Sequence, residues 1–558
     1  MKKLLYLLIL CIQSAAFAQI KFTNPILSGF YPDPSITRVG KDYYLVNSTF
    51  AYFPGIPVFH SKDLKNWKQI GNVINRDSQM NFMGDGTSRG LFAPAINYNK
   101  GTYYMTCTLI DHKGNFVMTA KNPAGPWSDP IWLPEVKGID PSLFFDQEKA
   151  YVVYNSDPPE NKALYSGHRT IRTFELDPVT LKVTGEEKIL VNGGVDISKK
   201  PVWIEGPHIF KRGEWYYLCA AEGGTSVNHS QVILRGKNAT GPYVPYEKNP
   251  ILTQRDLDPK RPFPITSTGH AELVEGPDGE TYAIFLAVRP YADNFYNTGR
   301  ETFIAPVKWT EGWPVINPDR NEVQYEYTAK FKEVKVPDTR PQSGNFAYRT
   351  TFQKTLDPSL LFLRKNDSSS YTLDPARGLT MKLKPETCME KGNPSFLGKR
   401  QQHMNCSAVT PMNFIPKAEN EKAGILIFQA EYNFYFLCKS LDKGKSVIQL
   451  YKGNKAKSSM ELIKQEVLQN PQGKIELAID AKAALYDFKY KEEGEKWKTL
   501  QENVDGRYLS TQAAGGFIGA LFALYATSSG GNSSNTASYQ WIDYKGDDTA
   551  FKPVITHP

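Results

Sequence analysis

A chain of 558 residues exceeds what one hydrophobic core usually serves, which excludes a single small domain. The formal charge of +8 is spread over the whole chain without a basic cluster, and this argues against nucleic-acid binding. Aromatic residues make up 13% of the sequence and, together with 42 Gly and 38 Pro, favour an all-β protein with rings that can stack on sugars.

The first residues have the pattern of a cleavable secretory signal. Lys2 and Lys3 give a basic start, an apolar run follows, and Ala16-Phe17-Ala18 provides the small residues of a cleavage site. We therefore expect residues 1–18 to be a signal peptide and the protein to be exported, either to the periplasm or to the medium. No later stretch is long and apolar enough to predict a membrane span.

An internal repeat occupies most of the N-terminal half. Each copy begins with a short motif, passes through a turn and continues into an aromatic strand. The starts recur at intervals of roughly 50 to 65 residues, which suits one four-stranded propeller blade with its loops. The five starts are Asp33-Pro34-Ser35, Ala93-Pro94-Ala95, Asp140-Pro141-Ser142, Gly206-Pro207-His208 and Gly269-His270-Ala271. The repeat predicts a five-bladed β-propeller over residues 19–335, with one long β-sandwich as the alternative.

The repeat stops near Val336, where the composition changes. Pro337, Pro341 and Gly344 mark a linker over residues 336–345. The remaining region, residues 346–558, has the length of a β-sandwich of the jelly-roll type. Its strand candidates are residues 346–352, 424–428 and 520–525. The predicted fold class is therefore all-β, with an N-terminal five-bladed propeller followed by a C-terminal sandwich.

Three of the five repeat starts carry a carboxyl group. Asp33 and Asp140 occupy the same place before Pro in their copies, and Glu205 stands one residue earlier in the fourth copy. The first residues of the inner strands of a propeller converge on its axis, so we expect these side chains to meet in one shallow pocket. Taken singly, each is better explained as a turn cap or a surface carboxylate. Together they suggest glycoside hydrolysis, which needs an acid and a base.

Several separated motifs carry a family resemblance that extends over nearly the whole mature chain. In the N-terminal half they are Tyr31-Pro32-Asp33-Pro34-Ser35, Phe53-Pro54-Gly55-Ile56-Pro57, Gly138-Ile139-Asp140-Pro141-Ser142, Glu205-Gly206-Pro207-His208, Thr268-Gly269-His270-Ala271 and Gly299-Arg300-Glu301-Thr302. In the C-terminal half the motif is Phe396-Leu397-Gly398-Lys399-Arg400-Gln401-Gln402-His403. The sequence resembles the β-xylosidases and α-L-arabinofuranosidases of glycoside hydrolase family 43, many of which carry an appended concanavalin A-like sandwich.

The resemblance implies a separate role for each carboxyl. Asp33 matches the general base that activates the attacking water, and Glu205 matches the general acid. Asp140 matches the residue that orients Glu205 and raises its pKa by like-charge repulsion. The family's mechanism inverts the anomeric configuration, so no covalent intermediate is expected.

Further residues match the family's sugar pocket. Arg300 matches an arginine that holds sugar hydroxyls near the cleaved bond, the alternative being a surface arginine paired with Glu301. His270 matches a histidine near the axis that contacts water or a structural divalent cation such as Ca²⁺, the alternative being a plain hydrogen-bonding residue. Phe50 matches a pocket aromatic, although core packing is an alternative.

Two phenylalanines bear on the shape of the pocket. Phe92 stands where many family members have Trp, which leaves the pocket wall and the sugar accepted open. In the family the sandwich can lend a loop to the pocket, and Phe517 is the candidate residue on such a loop. Its alternative is burial inside the sandwich.

The function expected from these features is inverting release of terminal xylose from β-1,4-xylo-oligosaccharides or xylan side structures. The expected partner is thus a xylan-type oligosaccharide or polysaccharide, and the chemistry requires no cofactor. An α-L-arabinofuranosidase or a bifunctional enzyme acting on arabinoxylan is the alternative within the same machinery. A non-catalytic surface glycan-binding propeller is the alternative of a different class. The sequence leaves exo or endo action and the oligomeric state open.

Overall fold

The computed structural model describes residues 19–553, so the predicted signal peptide lies outside the described residues. Within this range the chain is built almost entirely from antiparallel strands, and the all-β prediction is confirmed. None of its helices is long and apolar enough to cross a membrane. The α-helix is Thr511–Ala514, and the 3₁₀ turns are Pro159–Asn161, Ile197–Lys199, Ser368–Ser370, Gly506–Leu509 and Thr549–Phe551.

The N-terminal half contains four four-stranded antiparallel sheets and one with a short fifth strand, called blades 1 to 5 in chain order. Blade 1 consists of Ser35–Val39, Asp42–Val46, Gly55–Ser61 and Lys68–Ile74. Blade 2 consists of Ala95–Asn99, Thr102–Leu109, Gly114–Ala120 and Ile131–Trp132. Blade 3 consists of Ile139–Asp146, Lys149–Ser156, Thr170–Leu176 and Lys188–Asn192. Blade 4 consists of Glu205–Arg212, Trp215–Glu222, Ser230–Gly236 and Val244–Pro245, with Leu252–Thr253 added to its third strand. Blade 5 consists of Thr266–Glu275, Thr281–Val288, Glu301–Thr310 and Trp313–Ile316.

The blades form a closed ring. The first strand of each blade contacts the first strand of the next, and the first strand of blade 5 contacts that of blade 1. Ile20–Thr23 pairs with Glu326–Ala329, which ties the beginning of the propeller to its end. The innermost strands therefore surround one axis, as expected of a propeller. The alternative of one long β-sandwich is wrong.

The small hydroxyl residue of the repeated Asp-Pro-Ser motif links neighbouring blades. Ser35 Oγ donates to Glu272 Oε2 of blade 5 at 2.7 Å and accepts from the Ile96 N–H of blade 2 at 3.0 Å. Ser142 Oγ of blade 3 donates to the Pro207 carbonyl of blade 4. Because both serines are buried, each of these bonds satisfies polar groups that water cannot reach. The repeat thus fixes the spacing of the blades around the axis.

The hydrophobic cores of the propeller lie between blades. Second strands are covered on both faces by neighbouring blades, which explains their continuous apolar and aromatic sequences. In Lys149–Ser156, for example, every residue after the first is buried. Such strands hold the loops at the axis on a rigid frame.

The C-terminal half is a sandwich of two antiparallel sheets around one apolar core. The larger sheet contains Phe346–Thr351, Tyr371–Asp374, Gly378–Lys382, Asn405–Asn413, Ile475–Lys482, Leu485–Glu492, Lys498–Asp505, Thr536–Tyr539 and Trp541–Gly546. The smaller sheet contains Ser395–Arg400, Lys422–Ala430, Asn433–Asp442, Lys445–Asn454, Ser459–Val467 and Leu521–Thr527. All three strand candidates of this region coincide with observed strands.

The sandwich is joined to the propeller by strand pairing and by buried charge. Tyr52–Phe53 of the propeller pairs with Phe362–Leu363 of the C-terminal half. Arg289 donates to both carboxylate oxygens of Glu301 at 2.7 and 2.9 Å and to Asp548 of the C-terminal region at 2.7 Å. These three side chains are at most 2% exposed. The contacts hold loops of the sandwich beside the propeller axis.

Candidate active site

The three predicted carboxyls meet at the propeller axis. Asp33, Asp140 and Glu205, at the starts of blades 1, 3 and 4, line one cavity of about 260 Å³. The same cavity is lined by His270 from blade 5 and by Phe517 from the sandwich. Residues from distant parts of the sequence thus share one pocket, as the repeat predicts.

The backbone turns sharply at four equivalent blade starts. Asp33, Asp140, Gly206 and His270 have φ values of 50°, 54°, 57° and 53°, in the left-handed region. Three of these residues carry a side chain, and such a residue adopts this conformation at a cost of about 1–3 kcal/mol. Strain of this kind clusters at functional sites, where the surrounding structure holds it in place. Here it accompanies side chains that face the axis.

Gly206 explains why the carboxyl of blade 4 comes one residue early. A Cβ atom at Gly206 would lie 2.8 Å from His270 Nε2, so the imidazole ring fills the space that a side chain would need. The Gly206 N–H donates to Asp140 Oδ2 at 3.1 Å. The position equivalent to Asp33 and Asp140 therefore has no room for a side chain unless the His270 ring moves, and Glu205 supplies the carboxyl group instead.

Asp33 is the most firmly held of the three carboxyls. Arg300 Nη1 and Nη2 donate to its two oxygens at 2.7 and 3.3 Å, and Ser48 Oγ donates at 2.5 Å. A carboxylate surrounded by donors is oriented as an acceptor, as a base toward water must be. Arg300 Nη1 also donates to Thr225 Oγ1 at 3.2 Å. The alternative of a surface Arg300 paired with Glu301 is wrong, because Arg300 is buried and Glu301 pairs with Arg289.

Burial and mutual repulsion make the other two carboxyls weak acids. Burial, followed by the charge of Asp33, raises the pKa of Asp140 to about 7, against the opposing hydrogen bond from Gly206. Burial, followed by the charges of Asp140 and Asp33, raises the pKa of Glu205 well above its ordinary value. Two interacting carboxyls titrate as a pair, so the Asp140–Glu205 pair retains a proton at a pH where isolated carboxyls are ionised. A group that keeps its proton near neutrality is suited to general acid catalysis.

His270 is a neutral ring beside the base. Its Nδ1 lies 4.0 Å from Asp33 Oδ1, and burial lowers the pKa of His270 to about 4. Within residues 19–553 no group of three or more His, Cys, Asp or Glu side chains is placed to hold a metal ion. Ca²⁺ prefers six to eight oxygen ligands, and one ring nitrogen does not provide them. The side chains around His270 therefore do not fit a calcium site.

Three phenylalanines form the apolar wall of the pocket. Phe50 stacks on Phe517 with ring centroids 5.9 Å apart and planes at 16°, and Phe92 meets both rings edge-on at 5.7 and 6.0 Å. Phe517 is held by its backbone, because its N–H donates to Ser88 Oγ at 3.0 Å and its carbonyl accepts from Arg300 at 3.4 Å. Phe517 is half-buried at the pocket and not enclosed in the sandwich, so that alternative is wrong.

Some residues of the pocket were absent from the predicted set. Trp203 lines the pocket and stacks against Arg169, whose guanidinium carbon lies 4.7 Å from the ring centroid. Thr225 lines it from the loop after the second strand of blade 4. The signal for Trp203 was its place two residues before Glu205. Thr225 and Ser48 stand in loops that reach the axis, and no local sequence pattern predicts this.

Comparison with known proteins agrees with this geometry. Residues 22–314 match the model of glycosyl hydrolases family 43, and residues 349–545 match the β-xylosidase C-terminal concanavalin A-like domain. A xylosidase/arabinosidase of Butyrivibrio fibrisolvens is 38% identical, over 93% of this chain and 98% of its own. A non-reducing end α-L-arabinofuranosidase of Bacteroides ovatus is 36% identical, over 97% of this chain and 98% of its own.

A solved structure supports the same assignment. A GH43_12 protein from a capybara gut metagenome has a TM-score of 0.83 and 39% identity, and the match covers 92% of this chain and 96% of that one. The fold, the carboxyls at the axis and both matched regions indicate the same family. The chain belongs to glycosyl hydrolases family 43 and is an inverting glycosidase with a C-terminal concanavalin A-like domain.

Proposed function

We propose that the protein removes single xylose units from the non-reducing ends of β-1,4-xylo-oligosaccharides. The observation that carries this proposal is the pocket in which Asp33, Asp140 and Glu205 meet beside an aromatic wall. Its volume of about 260 Å³ is below the roughly 300–1,000 Å³ of pockets for drug-sized ligands. A pocket of this size suits one sugar ring at a chain end and favours exo action.

Each carboxyl has a distinct task in the proposed reaction. Asp33, oriented by Arg300 and Ser48, accepts a proton from the water that attacks the anomeric carbon. Glu205, whose pKa is raised, donates its proton to the departing glycosidic oxygen. Asp140 keeps the pKa of Glu205 high through its negative charge. Its carboxylate accepts a hydrogen bond from the Gly206 N–H. The acid and the base both come from the protein, so no step uses a cofactor.

Arg300 and the aromatic wall would bind the sugar. Arg300 lines the pocket while both ends of its guanidinium group contact Asp33, so it links the base to the substrate site. Its remaining donor capacity suits the hydroxyl groups of a pentose. Phe50, Phe92 and Phe517 line the pocket with apolar surface against which a sugar ring can pack.

A second activity on terminal α-L-arabinofuranosyl groups is favoured by the relatives. The Butyrivibrio fibrisolvens protein is named for both sugars, and the Bacteroides ovatus protein is named for arabinofuranose. Phe92 forms the part of the wall that differs from the tryptophan of many family members. A smaller ring there leaves more room for a sugar of different shape.

Product analysis by ¹H NMR tests the proposal. We expect xylotetraose to release xylose one unit at a time, with the α-anomer appearing first from the β-linked substrate. Arabinoxylan reports the second activity as free arabinose. Glu205→Ala serves as the control for contaminating hydrolases. Internal cleavage of xylotetraose, or release of neither sugar, would contradict the proposed substrate, and unchanged activity of Glu205→Ala would contradict the proposed site.

The place of action stays a prediction. Export to the periplasm or the medium rests on Lys2, Lys3 and the apolar run that follows, which lie outside the described residues. An exported enzyme of this kind would meet xylan fragments before they enter the cell. Fractionation of cells that produce the full chain, followed by a xylosidase assay of each fraction, tests this prediction.

A further inference from the structure

A second cavity lies where the propeller, the linker and the sandwich meet. It has a volume of about 210 Å³ and shares none of its lining residues with the active-site pocket. Tyr31 contributes from the propeller, Arg340 from the linker, and Lys399 and Arg400 from the sandwich. The established chemistry of the protein gives this cavity no role.

Lys399 carries a buried amine that has no hydrogen-bond or ion-pair partner within residues 19–553. The residue is 2% exposed. Its Nζ atom lies 3.7 Å from the centroid of the Tyr348 ring and 5.1 Å from that of Tyr544. An aromatic face compensates only part of the cost of removing an ammonium group from water. A lysine in this setting is suited to an anionic ligand.

Two arginines add to the positive charge around the cavity. Arg400 is 3% exposed and donates from Nε to the Phe30 carbonyl at 2.6 Å, while its Nη2 has no partner among the described residues. Arg340 reaches the cavity from the linker and pairs with Asp357. Burial, followed by the charges of Arg340 and Arg400, lowers the pKa of Lys399 well below its ordinary value. Asp338 and Asp357 also line the cavity, but within residues 19–553 neither forms an ion pair with Lys399 or Arg400.

We propose that this cavity binds a small oxyanion, held by Lys399 together with Arg340 and Arg400. The shared chemistry is a compact group of negatively charged oxygens, which arginine and lysine recognise in proteins. Inorganic phosphate is one source, and the carboxylate of an acidic sugar such as a glucuronate substituent is another. The cavity has room for either. Its position between the domains means that a bound anion also links the linker to the sandwich.

Calorimetric titration of the full-length protein with sodium phosphate and with sodium D-glucuronate tests the proposal. We expect saturable binding of at least one of them, measured against sodium chloride at equal ionic strength. Lys399→Met removes the charge and keeps a long apolar side chain over Tyr348. It is expected to weaken binding by roughly tenfold or more, because a charge-assisted contact is lost. Phosphate binding alone identifies a free oxyanion, and glucuronate binding alone identifies an acidic sugar.

Two further variants make the test independent of folding defects. Arg340→Gln changes a side chain that is 42% exposed, and it is also expected to weaken binding several-fold. Lys439→Met is the matched control, because Lys439 is another buried lysine of the sandwich whose Nζ donates to the Pro471 carbonyl outside this cavity. It should bind the anion as the unchanged protein does. Absence of saturable binding would overturn the proposal. Binding by Lys399→Met and by Arg340→Gln that is as tight as binding by the unchanged protein would also overturn it.

Discussion

Gly206→Ala tests whether the absence of a side chain at this position shapes the active site. The new Cβ atom would lie 2.8 to 3.0 Å from three atoms of the His270 ring, closer than side chains approach one another. The ring must move, and with it the segment that carries Glu205 and donates to Asp140. Displacements near 1 Å at a catalytic group cost about 10²-fold in rate. We therefore expect kcat/KM on nitrophenyl xyloside to fall about a hundredfold.

Gly213→Ala is the matched control in the same blade. Gly213 has nearly the same backbone angle, φ 59° against 57° for Gly206, but no atom lies within 4 Å of its added Cβ. Both substitutions carry the same left-handed strain, so their difference in unfolding free energy isolates the clash with His270, about 1–3 kcal/mol. Urea unfolding measures that difference and initial rates measure activity. Equal stability and equal activity of the two variants would refute the reasoning.

Three further outcomes follow from the contacts described above. Phe517→Ala should lower kcat/KM about tenfold through loss of the stacked wall, whereas the exposed Trp497→Ala should not change it. The rate should fall on the alkaline side of its pH profile, because protonated Glu205 is lost there, and Asp140→Asn should move this alkaline limb to lower pH by lowering the pKa of Glu205. Arg289→Met leaves buried carboxylates unpaired and should cost about 3–5 kcal/mol in unfolding free energy, measured by urea denaturation.

The repeat made much of the fold and part of the site predictable. Asp33 and Asp140 precede proline in equivalent copies, so their convergence follows from the propeller once the repeat is recognised. Glu205 stands one residue before the position equivalent to Asp33 and Asp140. That position is Gly206, where the His270 ring fills the space that a side chain would need. The reason for that offset is steric and involves a residue more than sixty positions away, which the sequence pattern does not reveal.

The remainder of the site depends on contacts between distant segments. Phe517 reaches the pocket through a hydrogen bond to Ser88, 429 positions earlier in the chain. Thr225 lines the pocket and accepts a hydrogen bond from Arg300. It stands in a loop outside the repeated motif. The packing of the sandwich against the propeller fixes the first contact, and the path of a single loop fixes the second. Neither leaves a periodic signal in the sequence.

The assignment of Glu205 as the general acid is tested most directly by varying the leaving group. A general acid is needed when the leaving oxygen is basic and is nearly dispensable when the leaving group is a stable anion. Glu205→Gln should therefore lose about 10²–10⁴-fold in kcat/KM on xylobiose but far less on 2,4-dinitrophenyl β-xyloside. Equal losses on the two substrates would contradict the proposed role of Glu205.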